Sequence, residues 1–196
     1  MKNEDQPIES SAEAETDRLV RDASWALENG LPARDLVPML NKLMQRAEPG
    51  SLPWRFACQE LAEQLVEADP WRAALIVRRL LADGESDRAW AVLGLCLALL
   101  GHARSSLSAY RRALALAPHC AEYAHNVGHL LDAGLNRPKD ALRYLNQAHR
   151  SLPSDVEIAA SLAQALVRLG REAEARALLA PRLSVPEVEE LLARWT

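Results

Sequence analysis

Four side chains on one short stretch, Glu122, His125, His129 and Asp132, have the types and the spacing to do chemistry together. Steps of three, four and three residues put all of them on one face of a helix. Histidines at i and i+4 can share a metal ion, and flanking carboxylates could complete its shell. No HExxH motif accompanies them, and the same face serves equally well to hydrogen-bond a partner. The expectation is therefore a polar binding face without a metal, with a metal on His125 and His129 as the alternative. His119 and Cys120 lie just upstream and could be read as a base and a nucleophile. Adjacent residues rarely point at one another, however, and neither an oxyanion donor nor an orienting carboxylate is identifiable. No glycine-rich phosphate loop occurs either, so neither an enzyme nor a bound cofactor is expected.

The composition fits a helical chain that presents such a face. Of 196 residues, 49% are apolar and 26% charged, the balance of a globular protein rather than a disordered one. Leu and Ala supply most of the apolar residues, β-branched runs are nearly absent, and the expected fold class is all-α. A net charge of -4 argues against a general phosphate-binding surface, which needs clustered Lys and Arg. The longest apolar run, Ala89 to Leu100, is too short to span a bilayer. Three cysteines without a CxxC fit a reducing compartment, and the first residues lack the apolar core of a secretory signal. The expected location is cytoplasmic, with neither nucleic acid nor membrane as partner.

Helix start and stop signals divide the chain finely. Residues 1–11 are polar and acidic and are expected to be disordered. A first helix reads from Ser11 to Asn29, stopped by Gly30, with Leu19, Val20, Ala23 and Leu27 on its apolar stripe and Trp25 on a flank. A second runs from Ala33 to Arg46; Pro38 inside it means either a kink or a later start. Ser51 with Pro53 opens a third, and Pro70 opens a fourth that closes near Gly84. Helices then follow near 87–100, 104–117, 121–133, 138–151, 155–169 and 172–180, with a last from Glu187 to Trp195.

From Asp87 onward one pattern recurs about every 34 residues. Trp90, Leu93, Gly94, Leu97, Gly101, Tyr110, Ala113 and Pro118 state it in full. Ala124, Val127, Gly128, Leu131, Gly134, Leu145, Ala148 and Pro153 restate it, and Ala159, Leu162, Ala163, Leu166, Gly170, Ala175 and Leu179 echo it. Gly94 to Gly128 is 34 residues but Tyr110 to Leu145 is 35, which places one extra residue in the turn Leu135–Lys139. Upstream, Trp54, Cys58 and Leu61 precede Trp90, Gly94 and Leu97 by a constant 36, whereas Ala73, Val77 and Leu80 precede Ser106, Tyr110 and Ala113 by 33. A longer loop would reconcile the two offsets.

These residues resemble the tetratricopeptide repeat, a helix-turn-helix unit of 34 residues with the pattern W-x2-L-G-x2-Y, then A-x3-F, A and P. The resemblance implies a right-handed superhelical array of antiparallel helix pairs. It implies repeats at 87–120, 121–155 and 156–183, after N-terminal helical pairs at 12–86 that carry echoes of the pattern and before a capping helix at 184–196. Gly128 and its counterparts would be small where the helices of a unit cross, and Tyr110, Leu145 and Leu179 large where units meet. In this family the first helix of each unit lines a concave groove for peptides. By register that groove would hold Arg88, Leu95, Glu122, His125, Asn126, His129, Asp132, Glu157 and Gln164. The implied function is a protein-interaction module, a scaffold, adaptor or chaperone-like protein binding another protein's peptide or helix. Alternatives are the metal-binding helix face and a structural subunit of a bacterial assembly such as a secretion system.

Overall fold

The computed structural model describes residues 6–195. It divides into two compact units, residues 1–100 and 101–196. Eleven α-helices lie among the described residues, and no strand accompanies them.

The N-terminal unit holds α1 (Gln6–Glu28), α2 (Ala33–Arg46), α3 (Leu52–Leu65), α4 (Pro70–Asp83) and α5 (Asp87–Leu99), each packed on the next. The segment 1–11, expected to be disordered, is described only from Gln6, where the backbone is already that of α1. Pro38 sits inside α2 without ending it, on the exposed side. Three starts are capped as their residue types require. Ser51 accepts from the Trp54 N–H, Asp69 from that of Arg72 and Ser86 from that of Ala89. Leu40, Leu43, Leu61 and Val77 are fully buried. Side chains of this size contribute about 1.5–3 kcal/mol each when removed from water. The upstream echoes of the repeat, Trp54, Cys58 and Leu61 on α3 and Ala73, Val77 and Leu80 on α4, are all core residues of this unit.

The C-terminal unit holds α6 (Ala103–Leu116), α7 (Ala121–His129), a π-helical turn (Leu130–Gly134), α8 (Pro138–Ser151), α9 (Val156–Val167), α10 (Glu172–Leu179) and α11 (Val185–Trp195). Neighbouring helices pack in sequence, and α11 also rests on α9, burying Val188 and Leu192. Where α7 crosses α8, a Cβ built on Gly128 would lie 2.6 Å from Cγ of Leu145, itself fully buried. The glycine is there because Leu145 fills the space a side chain would need. The turns after α6 and α8 are tied by a recurring bond: Gln147 donates to the Pro118 carbonyl at 2.8 Å, and Nε of Arg182 to that of Pro153 at 3.1 Å.

The extra residue expected in the turn Leu135–Lys139 sits in the helix before it. Gly101 and Gly170 follow α5 and α9 with φ of 79° and 74°, each seven residues after Gly94 and Ala163. After α7 and the π turn the left-handed residue is Asn136, with φ 53°, eight residues after Gly128. From these three positions to the small residues Ser106, Ala141 and Ala175 the distance is five residues every time. Hydrogen bonds agree: the Arg171 N–H reaches back to Leu166, whereas the Arg137 N–H reaches one residue further, to Leu131. A π turn is the form an α-helix takes when it absorbs a single inserted residue. Gly134, which occupies the expected place of Gly101, has lost that role to Asn136.

Candidate partner-docking face

In the C-terminal unit the face expected to bind is built by α7 and α9, which touch directly. Nε2 of His125 lies 2.9 Å from Oγ of Ser161, a hydrogen bond that ties the two helices side by side. Burial lowers the His125 pKa, against the upward pull of Glu157 and Asp155, so the ring is neutral at pH 7. His129, one turn on, is exposed, its ring centroid 6.1 Å from that of His125 and tilted by 49°. Asn126 and Gln164 are half-buried, while Glu122 and Glu157 are exposed in the first turns of their helices, where the helix dipole favours negative charge. Glu122 accepts a hydrogen bond from its own backbone N–H and one from the Cys120 thiol at 3.1 Å, and both lower its pKa. Burial, and to a lesser degree the Glu122 carboxylate, raise the Cys120 thiol pKa and leave it a poor nucleophile.

Asp132 departs from the expected groove. It is 2% exposed, inside the π turn, with Oδ1 2.8 Å from Nη1 of Arg168. The same nitrogen donates to the Asp132 carbonyl at 2.8 Å, and Nη2 donates to the side-chain oxygen of Asn136. Burial pushes the Asp132 carboxyl up, and Arg168 and His129 oppose it. Arg168 thereby holds a turn whose backbone is off the α-helical ladder. The tie is legible afterwards in the spacing, since Arg168 follows Asp132 by 36 residues, as Ser161 follows His125. Neither Ser161, Arg168 nor Asn136 stands out in the sequence beforehand, because each is a single polar residue at a position the repeat pattern leaves open.

Three of the four side chains on this face have protein partners. His125 turns to Ser161, Asp132 to Arg168 and Glu122 to Cys120. Among the described residues no three His, Cys, Asp or Glu side chains are grouped to hold a metal ion.

In the N-terminal unit the expected face residues lie on α5. Arg88 is paired with Glu60 at 3.1 Å and Glu63 at 2.8 Å, both on α3, and Leu95 is 39% exposed. The positions on α3 that precede Ala91 and Leu95 by 36 are Arg55 and Gln59. Both line a cavity of about 220 Å³ together with Arg88. No helix among the described residues is long and apolar enough to cross a membrane.

Comparison with known proteins bears on the fold and the family. The tetratricopeptide repeat family matches residues 130–193. Protein FlbA of Caulobacter vibrioides is 36% identical over 118 residues, which is 60% of this chain, and the match spans only a fifth (20%) of FlbA. MamA 41-end from Desulfovibrio magneticus RS-1 superposes with a TM-score of 0.73 at 16% identity, covering 91% of this chain and 96% of that one. A second MamA crystal structure gives 0.70 at 17% identity, covering 91% and 94%. At such identities the likeness concerns the fold alone, a tetratricopeptide-like array of helix pairs. The recurring core positions and the paired helices agree with this match: residues 130–193 carry a tetratricopeptide repeat, and the fold is that of a tetratricopeptide-like helical array.

Proposed function

We propose that the chain is a protein-interaction scaffold that docks a partner's helix or extended segment on the polar face shared by α7 and α9. One observation carries the reading. The His125–Ser161 bond fixes two first helices side by side, and it leaves His129, Glu122 and Glu157 exposed along their common face. A face held rigid by its own hydrogen bond loses little freedom when a partner binds. The proposed compartment is the cytoplasm, supported by three cysteines that form no disulfide. Burial pushes the thiols of Cys58 and Cys96 up to about 11, so both stay protonated and inert as core residues.

The test is to capture the partner from the native organism on the wild-type chain and then compare His129→Glu. This variant keeps the helical circular dichroism, because its side chain is exposed, and loses the partner. Retained binding at wild-type strength would place the interface elsewhere. Protein purified without a histidine tag carries no stoichiometric zinc on this account, and mass spectrometry of the intact native protein checks that.

A further inference from the structure

We propose that the cavity between α3 and α5 of the N-terminal unit is a recognition pocket for a neutral amide group. The inference rests on the reading of the first-helix face as a docking face, and it names the chemistry read at one place on that face. The cavity measures about 220 Å³ and is lined by Arg55, Phe56, Gln59, Glu60, Ser86 and Arg88, with Leu80 also in its wall. A water takes roughly 30 Å³ in the liquid, so the space exceeds what one bridging water fills.

Gln59 is the reason for choosing an amide. The residue is 7% exposed, its Nε2 donates to Oε1 of Glu63 at 2.6 Å, and its Oε1 is buried without a hydrogen-bond partner. The amide cannot be turned around to cure this. Glu63 is a carboxylate paired with Arg88 at 2.8 Å, and its oxygen would repel the oxygen it then met. A buried acceptor left without a donor is costly, and an N–H donor in the cavity that draws the Gln59 amide toward it relieves that cost.

The charges around the cavity decide what kind of donor it is. Arg88 is engaged by Glu60 and Glu63, and Nη1 of Arg55 lies 2.5 Å from Oδ2 of Asp83. An anion would compete with those carboxylates for the guanidiniums, and a cation would face two guanidiniums at the lining. A neutral amide suits both. Its N–H serves Gln59 Oε1, and its carbonyl accepts from the Ser86 hydroxyl, whose oxygen already caps α5, or from a further guanidinium N–H. The wall is set in advance by two glycines. A Cβ on Gly84 would come within 2.8 Å of Nη2 of Arg55, and one on Gly50 within 2.9 Å of Oδ1 of Asp83. The Arg55–Asp83 pair therefore lies directly against bare backbone on either side.

The shared chemistry has two sources, the main chain of a docked segment or an Asn or Gln side chain, and small probes separate them. The full-length chain, labelled with nitrogen-15, is titrated with N-methylacetamide as peptide-bond mimic and propionamide as side-chain mimic. Acetate and methylguanidinium serve as charged controls. Saturable shifts are expected at the Gln59 side-chain amide and at the Ser86 and Arg88 backbone amides. A dissociation constant in roughly the millimolar range is expected, as probes of this size allow. Charged probes bind about tenfold more weakly or not at all. Saturation by N-methylacetamide assigns the pocket to main chain, and saturation by propionamide alone assigns it to a side chain. Gln59→Leu keeps the fold, since an apolar group of that shape removes the orphan acceptor, and it weakens the amide by about tenfold or more, read at Ser86 and Arg88. Arg88→Met, which leaves the fold of α5 intact, serves as second variant and weakens binding likewise. Failure of both amides to saturate, equal binding by Gln59→Leu, or charged probes moving the same signals as strongly would each overturn the proposal. These outcomes are separate from the α7 test, because a chain that loses its partner through His129→Glu still has this pocket to titrate.

Discussion

Replacing Gly128 by alanine adds one methyl group at the crossing of α7 and α8. The new Cβ would sit 2.6 Å and 2.7 Å from Cγ and Cδ2 of Leu145 and 3.2 Å from its backbone nitrogen. Leu145 is fully buried, and the backbone contact limits how far a rotamer change could relieve the clash. Overpacking of this kind costs about 1–3 kcal/mol, and a clash that a rotamer change cannot fully relieve lies in the upper part of that range, about 2–3 kcal/mol. Alanine returns about 1 kcal/mol in helix propensity relative to glycine, so the net loss is about 1–2 kcal/mol. With an m-value near 2 kcal/mol/M for a unit of this size, the urea midpoint falls by roughly 0.5–1 M. Circular dichroism at 222 nm follows the transition. The cycle with Leu145→Ala sharpens the test: that substitution alone costs about 2–5 kcal/mol as a cavity, and the methyl added by Gly128→Ala then has room. A favourable coupling of about 1–2 kcal/mol is therefore expected between the two changes. A Gly128→Ala chain as stable as the parent, or more so, would refute the crossing and with it the register of the second repeat.

Other substitutions probe other links. Tyr110→Ala removes a buried aromatic and should cost about 3–5 kcal/mol, seen as a lowered denaturation midpoint. Arg168→Met leaves the carboxylate of Asp132 buried without its cation and should cost about 3–5 kcal/mol, whereas changing both to apolar residues of similar volume costs much less; urea melts of the single and double variants check both. Acidification gives a further test through His125 and His149, whose pKa values are both lowered by burial, His149 also by Arg182. The unfolded chain then binds more protons, so stability is fully present above the unfolded value near 6.5 and is lost as pH falls below it. Replacing both by Gln should flatten that loss in a series of melts from neutral to acid pH.

Much of the fold follows from residues that must recur. Trp54, Gly128, Tyr110, Leu145 and the turn prolines repeat because every helix pair needs the same small crossing, large filler and stop. The start of α8 at Pro138 is read from the sequence alone because Pro is tolerated in the first turn of a helix. The π turn is not legible in this way. A surplus residue shows only as a changed interval, and nothing in Leu130–Gly134 says whether helix or loop absorbs it. That same insertion displaces Asp132 from the expected groove, since α-helical register does not carry through a segment that abandons it. Gln59 is hidden in the sequence for a different reason. Its significance lies in an unpaired oxygen, and whether an amide is satisfied depends on Glu63 and the cavity rather than on its place in any repeat.

Site-specific photo-crosslinking tests the docking face most directly. A benzoylphenylalanine is placed at His129 or Gln164, on the α7–α9 face, and for comparison at Asn146, an exposed position on α8, and the captured partner is added. The account predicts covalent complexes from positions 129 and 164 and none from 146. Crosslinks from 146 with none from 129 or 164 would contradict it.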